Sequence, residues 1–122
     1  MKKIFVIAIA FLMVVSTAFA QGSAEEAGDR SLEKIKEKGV FVLGLDDSFP
    51  PMGYRDENNE IVGFDIDLAK EVCKGLGVEL KCQPIDWSAK EQELATGQID
   101  CIWNGFTKTE EREKSMTLSM AY

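Results

Sequence analysis

The stretch Gly63-Phe64-Asp65-Ile66-Asp67-Leu68-Ala69-Lys70-Glu71-Val72-Cys73 carries the strongest structural pattern of this chain. Its apolar residues recur at the spacing of an amphipathic helix, at Ile66, Ala69, Val72, Cys73 and Leu76. Asp65 and Asp67 occupy the first turn, where the helix dipole favours negative charge. We therefore predict a helix over Asp65–Gly75 that follows the Gly63 turn and is ended by Gly75 and Gly77.

Strand patterns alternate with helix patterns on both sides of this segment. Val40–Leu45 is a nearly continuous apolar run, typical of a strand covered on both faces, residues 78–83 alternate, and Ile99–Trp103 is mostly apolar. The remaining predicted elements are a helix over Ser31–Lys38, a loop over Asp46–Pro51, hairpin arms at Met52–Tyr54 and Ile61–Gly63, a helix from a capping box at Ser88 to Gly97, a helical turn from Thr109, and a strand over Met116–Met120. This order predicts an α/β fold with a mostly parallel sheet and flanking helices.

The first 20 residues have the pattern of a secretory signal. A basic start is followed by the apolar run Ile4–Val15 and by small residues that end at Ala20, which predicts cleavage after Ala20. A membrane anchor is the alternative, but the run is short for a bilayer span. Residues 21–30 are predicted to be a flexible leader, and residues 31–122 form the domain. No cysteine follows the cleavage site, so a lipid anchor is not expected.

The charge and the residue types exclude several classes of function. Loss of residues 1–20 leaves 12 basic and 21 acidic residues, a net charge of −9, which argues against nucleic acid and anionic membranes as partners. The chain has no histidine, so no Ser or Cys triad of the usual kind is present. It also has no glycine-rich phosphate loop. We therefore predict no catalytic residue, no cofactor and no metal site.

Three cysteines follow the predicted signal, at Cys73, Cys82 and Cys101. Each lies in an apolar register position, which favours buried free thiols that pack as small apolar groups. An exported protein can also form disulfides. The best alternative is then a Cys73–Cys82 bridge between the helix end and the next strand.

Ligands of open α/β sheets bind beyond the carboxyl ends of the strands. Here that rule selects the loops Asp46–Pro51, Asp86–Ser88 and Asn104–Arg112. They hold the aromatic rings of Phe49 and Trp87, the hydroxyl of Thr107 and the guanidinium of Arg112. Such a set suits a small zwitterion, with Arg112 gripping a carboxylate and free N–H groups of residues 105–109 adding donors. Taken singly, a surface arginine or a core aromatic residue has a purely structural interpretation.

The quoted helix segment resembles the signature of the bacterial family 3 solute-binding proteins, and the likeness extends over residues 32–122. The loop Asp46–Met52 is similar to the first ligand loop of that family, and Pro84–Trp87 to the loop with its second aromatic residue. The segments Gln98–Asp100 and Gly105–Arg112 are similar to the part that binds the ligand carboxylate. Ser119–Tyr122 resembles a Ser-x-Pro-Tyr segment, with Ala121 in place of the proline.

The resemblance implies a periplasmic receptor that delivers an amino acid to the membrane permease of an ABC importer, with no cofactor and as a monomer. Two lobes of such a receptor close on the ligand, and this chain corresponds to a partial first lobe. The implied roles fall on six residues: Arg112 and Thr107 at the ligand carboxylate, Phe49 and Trp87 stacking on its side chain, Asn104 at the pocket floor with its carbonyl toward the ammonium, and Asp46 at the ammonium or a polar side chain.

The sequence departs from the family pattern in its length, because no segment corresponds to the second lobe or to the part that completes the first. A one-sided pocket covers little of a ligand, so we expect the chain alone to bind amino acids more weakly than ~1 mM. The alternatives are a fragment of a periplasmic dehydratase-like enzyme, the ligand-sensor domain of a receptor with the same fold, and a remnant without function.

Overall fold

A computed structural model describes residues 29–122. The predicted signal peptide and nearly all of the predicted leader lie outside the described residues. Ser31–Tyr122 makes up one compact unit. Within residues 29–122 no helix is both long and apolar enough to cross a membrane.

The described part of the chain contains four α-helices and six strands. The helices are α1 (Ser31–Lys38), α2 (Phe64–Leu76), α3 (Lys90–Ala95) and α4 (Glu110–Ser115). The strands are β1 (Val40–Leu45), β2 (Ser48–Phe49), β3 (Gly53–Arg55), β4 (Ile61–Val62), β5 (Glu79–Pro84) and β6 (Cys101–Ile102). A short 3-10 turn, Trp87–Ala89, precedes α3.

Three of the strands form a parallel sheet in the order β5-β1-β6. Leu43 in the central strand lies opposite Cys82 of β5 and Cys101 of β6. The chain thus leaves β1 towards one neighbour and later returns to pair on its other side. The predicted α/β class, with a parallel sheet and flanking helices, is confirmed.

A second, antiparallel sheet in the order β2-β3-β4 precedes α2. It is joined to the start of α2 by the N–H groups of Phe64 and Asp65, which donate to the carbonyls of Pro51 and Met52 at 2.9 Å each. Gly63 permits this close approach, because a Cβ at that position would lie 2.4 Å from the Met52 carbonyl oxygen. Its φ of 136° also favours glycine.

The core lies between α2 and the parallel sheet. Leu43 and Leu45 of β1 pack with Ile66 and Ala69 of α2, and all four are fully buried. Around them pack Phe41, Ile61, Leu80, Cys82, Cys101 and Trp103. The face of α2 that the spacing predicts to be apolar is therefore the buried face.

The three cysteines are free thiols in this structure. Cys73 is buried, and Cys82 and Cys101 are partly buried against the core. Burial raises the pKa of all three thiols, and that of Cys101 to about 12. These positions agree with the interpretation of the cysteines as buried apolar groups.

Several details of the element predictions are wrong, each for a physical reason. Residues 116–120 form no strand, because they have no pairing partner among the described residues. Gly75 lies inside α2, which ends at Gly77 in a left-handed conformation. The predicted loop Asp46–Pro51 contains β2, since Ser48 and Phe49 pair with β3 before the prolines.

The predicted capping box at Ser88 is also absent. Asp86 instead begins the 3-10 turn, and its carboxylate accepts from the Ser88 N–H at 2.9 Å and from its hydroxyl at 2.6 Å. The Ser88 hydroxyl is therefore already used as a donor. The prediction that Thr109 begins a helical turn is confirmed, because its hydroxyl accepts from the Arg112 N–H at 3.3 Å.

Candidate functional site

The predicted site residues follow the parallel strands at one edge of the sheet. Asp46 comes directly after β1, Asn104 two residues after β6, and Trp87 three residues after β5. Parallel strands present their carboxyl ends at the same edge. Because β5 and β6 lie on opposite sides of β1, the strand order reverses between β1 and β6, which is where ligands of such sheets bind.

Asn104 joins the loops after β1 and β6. Its amide Nδ2 donates to the Asp46 carbonyl oxygen at 3.3 Å. The residue is only 6% exposed, and its Oδ1 has no hydrogen-bond partner within the described residues. A buried amide oxygen without a donor is unfavourable by about 1–3 kcal/mol, so this atom is suited to accept a hydrogen bond from a ligand or a water molecule.

The carboxylate of Asp46 is turned back into its own loop. Its Oδ1 accepts from the Ser48 hydroxyl at 2.7 Å and from the Ser48 N–H at 2.9 Å. These bonds, the hydroxyl first, lower the pKa of Asp46, so the group is ionised at neutral pH. A negative charge thus lies at the end of β1, and Asp46 Oδ2 has no hydrogen-bond partner within residues 29–122.

The rings of Phe49 and Trp87 contact two successive residues of the loop after β6, Gly105 and Phe106. The Phe49 ring contacts Gly105, where a Cβ would come within 2.6 Å of its Cε1 atom. The Trp87 ring meets Phe106 edge to face, with centroids 5.7 Å apart and planes at 72°. Phe49 is 46% exposed, so its ring has surface free for a ligand. The stacking of both rings on one ligand stays a prediction.

Arg112 and Thr107 line an open cleft of about 610 Å³, together with Glu91, Thr109, Glu111 and Ser115. The guanidinium Nη1 of Arg112 donates to the Thr107 carbonyl oxygen, and its Cζ atom lies 4.1 Å from the centroid of the Phe106 ring. One face of the guanidinium is therefore covered, while donors remain for a carboxylate.

The backbone donors near the start of α4 differ from the prediction. The Phe106 N–H is not free, because it donates to the Asn104 carbonyl. That same carbonyl is the group expected to meet the ligand ammonium, and it keeps one lone pair for this purpose. Two residues of the site were missed from the sequence, Phe106 and Lys90. The signals available were an aromatic residue just before Thr107 and a lysine three positions after Trp87.

Residues 41–122 match the family described as bacterial extracellular solute-binding proteins, family 3. The chain belongs to this family. The match covers well over half of the chain and includes both sheets and every predicted site residue.

Curated family 3 relatives include a protein that binds cystine. The L-cystine-binding protein TcyJ of Escherichia coli K12 is 30% identical over 115 residues, which are 93% of this chain and 43% of that protein. The chain thus spans less than half the length of this relative.

Solved structures of family 3 proteins share the fold. A substrate-binding protein of an ABC uptake transporter from Streptococcus pneumoniae, solved with bound histidine, has a TM-score of 0.74 and 41% identity over 79% of this chain and 39% of that one. The arginine-bound Phe57Trp mutant of domain 1 of the Thermotoga maritima arginine-binding protein has a TM-score of 0.66 and 48% identity, over 68% of this chain and 64% of that domain.

An enzyme also occurs among the relatives of this family 3 chain. Cyclohexadienyl dehydratase from Pseudomonas aeruginosa is 28% identical over 115 residues, or 94% of this chain. Other relatives are named as binding proteins, for cystine in one case and for arginine in two.

Proposed function

We propose that this chain is part of an extracellular receptor that binds an amino acid for uptake by an ABC importer. The observation that carries the proposal is the position of Arg112, whose guanidinium lies against Phe106 in a cleft shared with Thr107. A cation held this way can present a two-pronged set of donors to a carboxylate. Relatives whose names specify cystine, arginine and glutamine support an amino acid as the ligand.

The other site residues take roles that fit an α-amino acid. Thr107 donates its hydroxyl to the ligand carboxylate next to Arg112. Asn104 and Asp46, joined by their 3.3 Å hydrogen bond, form the floor and accept from the ligand ammonium. Phe49 and Trp87 contact the side chain on either side of the loop after β6. An ionised Asp46 favours a ligand whose ammonium or polar side chain reaches the end of β1.

The receptor is proposed to act outside the inner membrane. The signal pattern of residues 1–20 supports export with cleavage after Ala20, and the family description supports an extracellular location. The proposed partner is the membrane permease of the importer, and the proposed state in solution is a monomer. The domain boundaries remain those of the sequence: signal peptide 1–20, leader 21–30 and a partial first lobe over 31–122.

Isothermal titration of the purified chain with a set of L-amino acids tests the proposal. After cooperative unfolding has been verified, we expect saturable binding with a Kd near or above ~1 mM, because the cleft at Arg112 is open and would cover a ligand from one side. The arginine-bound domain 1 of the Thermotoga relative supports ligand binding by a first domain without its partner lobe.

Two arginine variants make the test specific. Arg112→Ala is expected to abolish binding, whereas Arg55→Ala should preserve it, because Arg55 pairs with Asp47 on the hairpin and does not line the cleft. A folded chain that binds no amino acid, or that binds equally well after Arg112→Ala, would contradict the proposed function.

A further inference from the structure

Four side chains at the carboxyl edge form one continuous layer, in which two adjacent rings lie between two cations. The Lys90 Nζ atom lies 5.2 Å from the centroid of Trp87. Trp87 meets Phe106 edge to face at 5.7 Å, and Arg112 covers Phe106 at 4.1 Å. Each cation lies within the ~6 Å range of a cation–π contact, and the ring pair has a preferred aromatic geometry. We call this set the cation–aromatic layer.

Each end of the layer is also fixed to the backbone of a site loop. Lys90 Nζ donates to the Trp87 carbonyl oxygen at 3.1 Å, and Arg112 Nη1 donates to the Thr107 carbonyl oxygen. The cations therefore hold both the ring and the adjoining main chain. Lys90 is the first residue of α3 and Arg112 lies in α4, so the layer connects these two helices through side-chain contacts.

The rings replace carboxylates as partners of these two cations. Within residues 29–122 neither Lys90 nor Arg112 has an ion-pair partner at 4.0 Å or less, although Glu91 and Glu111 line the same cleft as Arg112. A carboxylate partner would use the guanidinium donors that a ligand needs. A ring covers one face and leaves the in-plane N–H groups available.

We propose that the cation–aromatic layer sets the relative position of the two arms of the binding site. Arg112 is the arm for the ligand carboxylate, and Trp87 is the arm for its side chain. Lys90 and Phe106 are positioning residues: Lys90 orients Trp87, Phe106 orients Arg112, and the contact between the two rings couples both ends. The roles of Arg112 and Trp87 toward a ligand rest on the proposed function. The coupling between the two residues rests on the observed contacts alone.

The coupling is measurable without a ligand. The chain has two tryptophans, so labelling with 5-fluorotryptophan gives two ¹⁹F resonances, and Trp87→Phe identifies the one from Trp87. We expect Lys90→Met and Phe106→Leu to shift this resonance and Lys90→Arg to restore it. Lys108→Met is the matched control, because Lys108 pairs with Glu113 outside the layer. It should leave the Trp87 resonance unchanged.

A change at the far end of the layer provides the decisive comparison. Arg112→Met should shift the Trp87 resonance in the otherwise unchanged chain, and it should no longer do so when Phe106 is leucine. A Trp87 resonance that ignores Arg112→Met, or that responds equally without the Phe106 ring, would overturn the proposal.

Ligand affinity gives the second readout. For whichever amino acid binds in the titration, Lys90→Met and Phe106→Leu are each expected to weaken binding about 2- to 5-fold, the range of an exposed cation–π contact. The double variant should lose less than the product of the two losses. Fully multiplicative losses would overturn the coupling. Absence of binding by a chain with an intact ¹⁹F pattern would instead contradict the proposed function.

Discussion

The two ends of the parallel sheet are held in different ways. At the amino end, Asp100 lies just before β6 and its carboxylate accepts from the Val42 N–H at 2.7 Å and from Lys38 Nζ at 2.7 Å. This carboxylate therefore joins α1, β1 and the start of β6. The Asp100 N–H donates in turn to the Val42 carbonyl at 2.8 Å. Contacts at this end link segments far apart in sequence.

At the carboxyl end the polar side chains mostly bond within their own loops. Asp46 accepts from Ser48, and Asp86 accepts from Ser88. The side-chain links between distant segments here are the 3.3 Å bond from Asn104 to the Asp46 carbonyl and the Tyr122 hydroxyl, which joins Trp103 to Asp65. The Asn104 Oδ1 has no partner among the described residues. The polar side chain of Asp100 at the amino end is thus used for stability, whereas the Asn104 Oδ1 at the carboxyl end is left for a ligand.

Truncation of core side chains should give the largest change in the free energy of unfolding, and it tests whether the two ends of the sheet differ in rigidity. Leu43→Ala and Leu45→Ala each remove a fully buried side chain of β1, which typically destabilises by about 3–5 kcal/mol. We expect Leu43→Ala to have the greater effect, because Leu43 is enclosed by β5 and β6, while Leu45 lies under the hairpin at Gly53, which can relax. Urea denaturation gives the free energies of unfolding.

Leu32→Ala is the control for core truncation. Leu32 is 46% exposed, so its removal should change the free energy of unfolding by only about 0.5 kcal/mol. A larger loss for Leu45→Ala than for Leu43→Ala would show that the carboxyl end is as rigid as the amino end.

Paired carboxylate variants compare the two ends directly. Asp100→Asn should destabilise by about 2 kcal/mol, because it removes the pair with Lys38 and weakens the charge-assisted bond from Val42. Asp46→Asn should change stability by less than about 0.5 kcal/mol, since an amide oxygen can still accept from Ser48. Thermal unfolding followed by circular dichroism measures both, and equal losses would refute the asymmetry.

Asn104→Leu tests whether the buried amide of Asn104 lowers the stability of the chain while it favours ligand binding. The substitution removes a buried amide whose oxygen has no partner, at the loss of one long hydrogen bond. We expect stability to stay the same or rise by about 1 kcal/mol, while amino-acid binding falls below detection. Parallel urea denaturation and calorimetry test this, and a destabilisation of about 2 kcal/mol or more would assign Asn104 to the structural framework.

Alkaline pH should reveal the contact that fixes the end of the described chain. The Tyr122 hydroxyl donates to Asp65 and accepts from Trp103 Nε1 at 3.0 Å. Burial, and then the bond to Asp65, raise the pKa of Tyr122 to about 12 from 10.0. Because this folded-state pKa exceeds the unfolded value, the contribution to stability is complete below pH 10 and is lost as pH rises through about 12.

The measurement is the urea midpoint at several pH values between 8 and 12. We expect the midpoint to fall from about pH 9, because the Cys101 thiol has its pKa raised from 9.0 to about 12 and the unfolded thiol ionises first. Above pH 10 the midpoint should fall less in Tyr122→Phe. An identical pH dependence in both proteins would show that Tyr122 takes no part.

The sequence predicted most elements correctly where local rules act alone. The helix now seen at Phe64–Leu76 follows from its apolar spacing, and the cap at Thr109 follows from its hydroxyl and the helical turn behind it. Ser88 shows the limit, because two candidate caps lay two residues apart and Asp86 took the role. Residues 116–120 have strand-like composition, but they pair with no strand within residues 29–122.

The candidate site was also predicted only as far as local rules and the order of elements allow. The rule that ligands bind beyond the carboxyl ends of strands selects the loops that hold Phe49, Trp87, Thr107 and Arg112 from the order of elements alone. The roles expected of Asp46 and Asn104 come from the family resemblance. It does not select Phe106 or Lys90, because their importance lies in the rings and cations they meet. Those contacts depend on how two helices pack, which residue spacing does not specify.

The sequence by itself determined the α/β class, the main helix and the family likeness, because periodicity, capping and element order are local properties. It also predicted the sheet edge that would bind a ligand. Only the tertiary structure decided which distant groups meet. Lys38 pairs with Asp100 across 62 positions, and Tyr122 meets Asp65 across 57. Such contacts depend on how the chain packs, which the spacing of residues along the sequence does not specify.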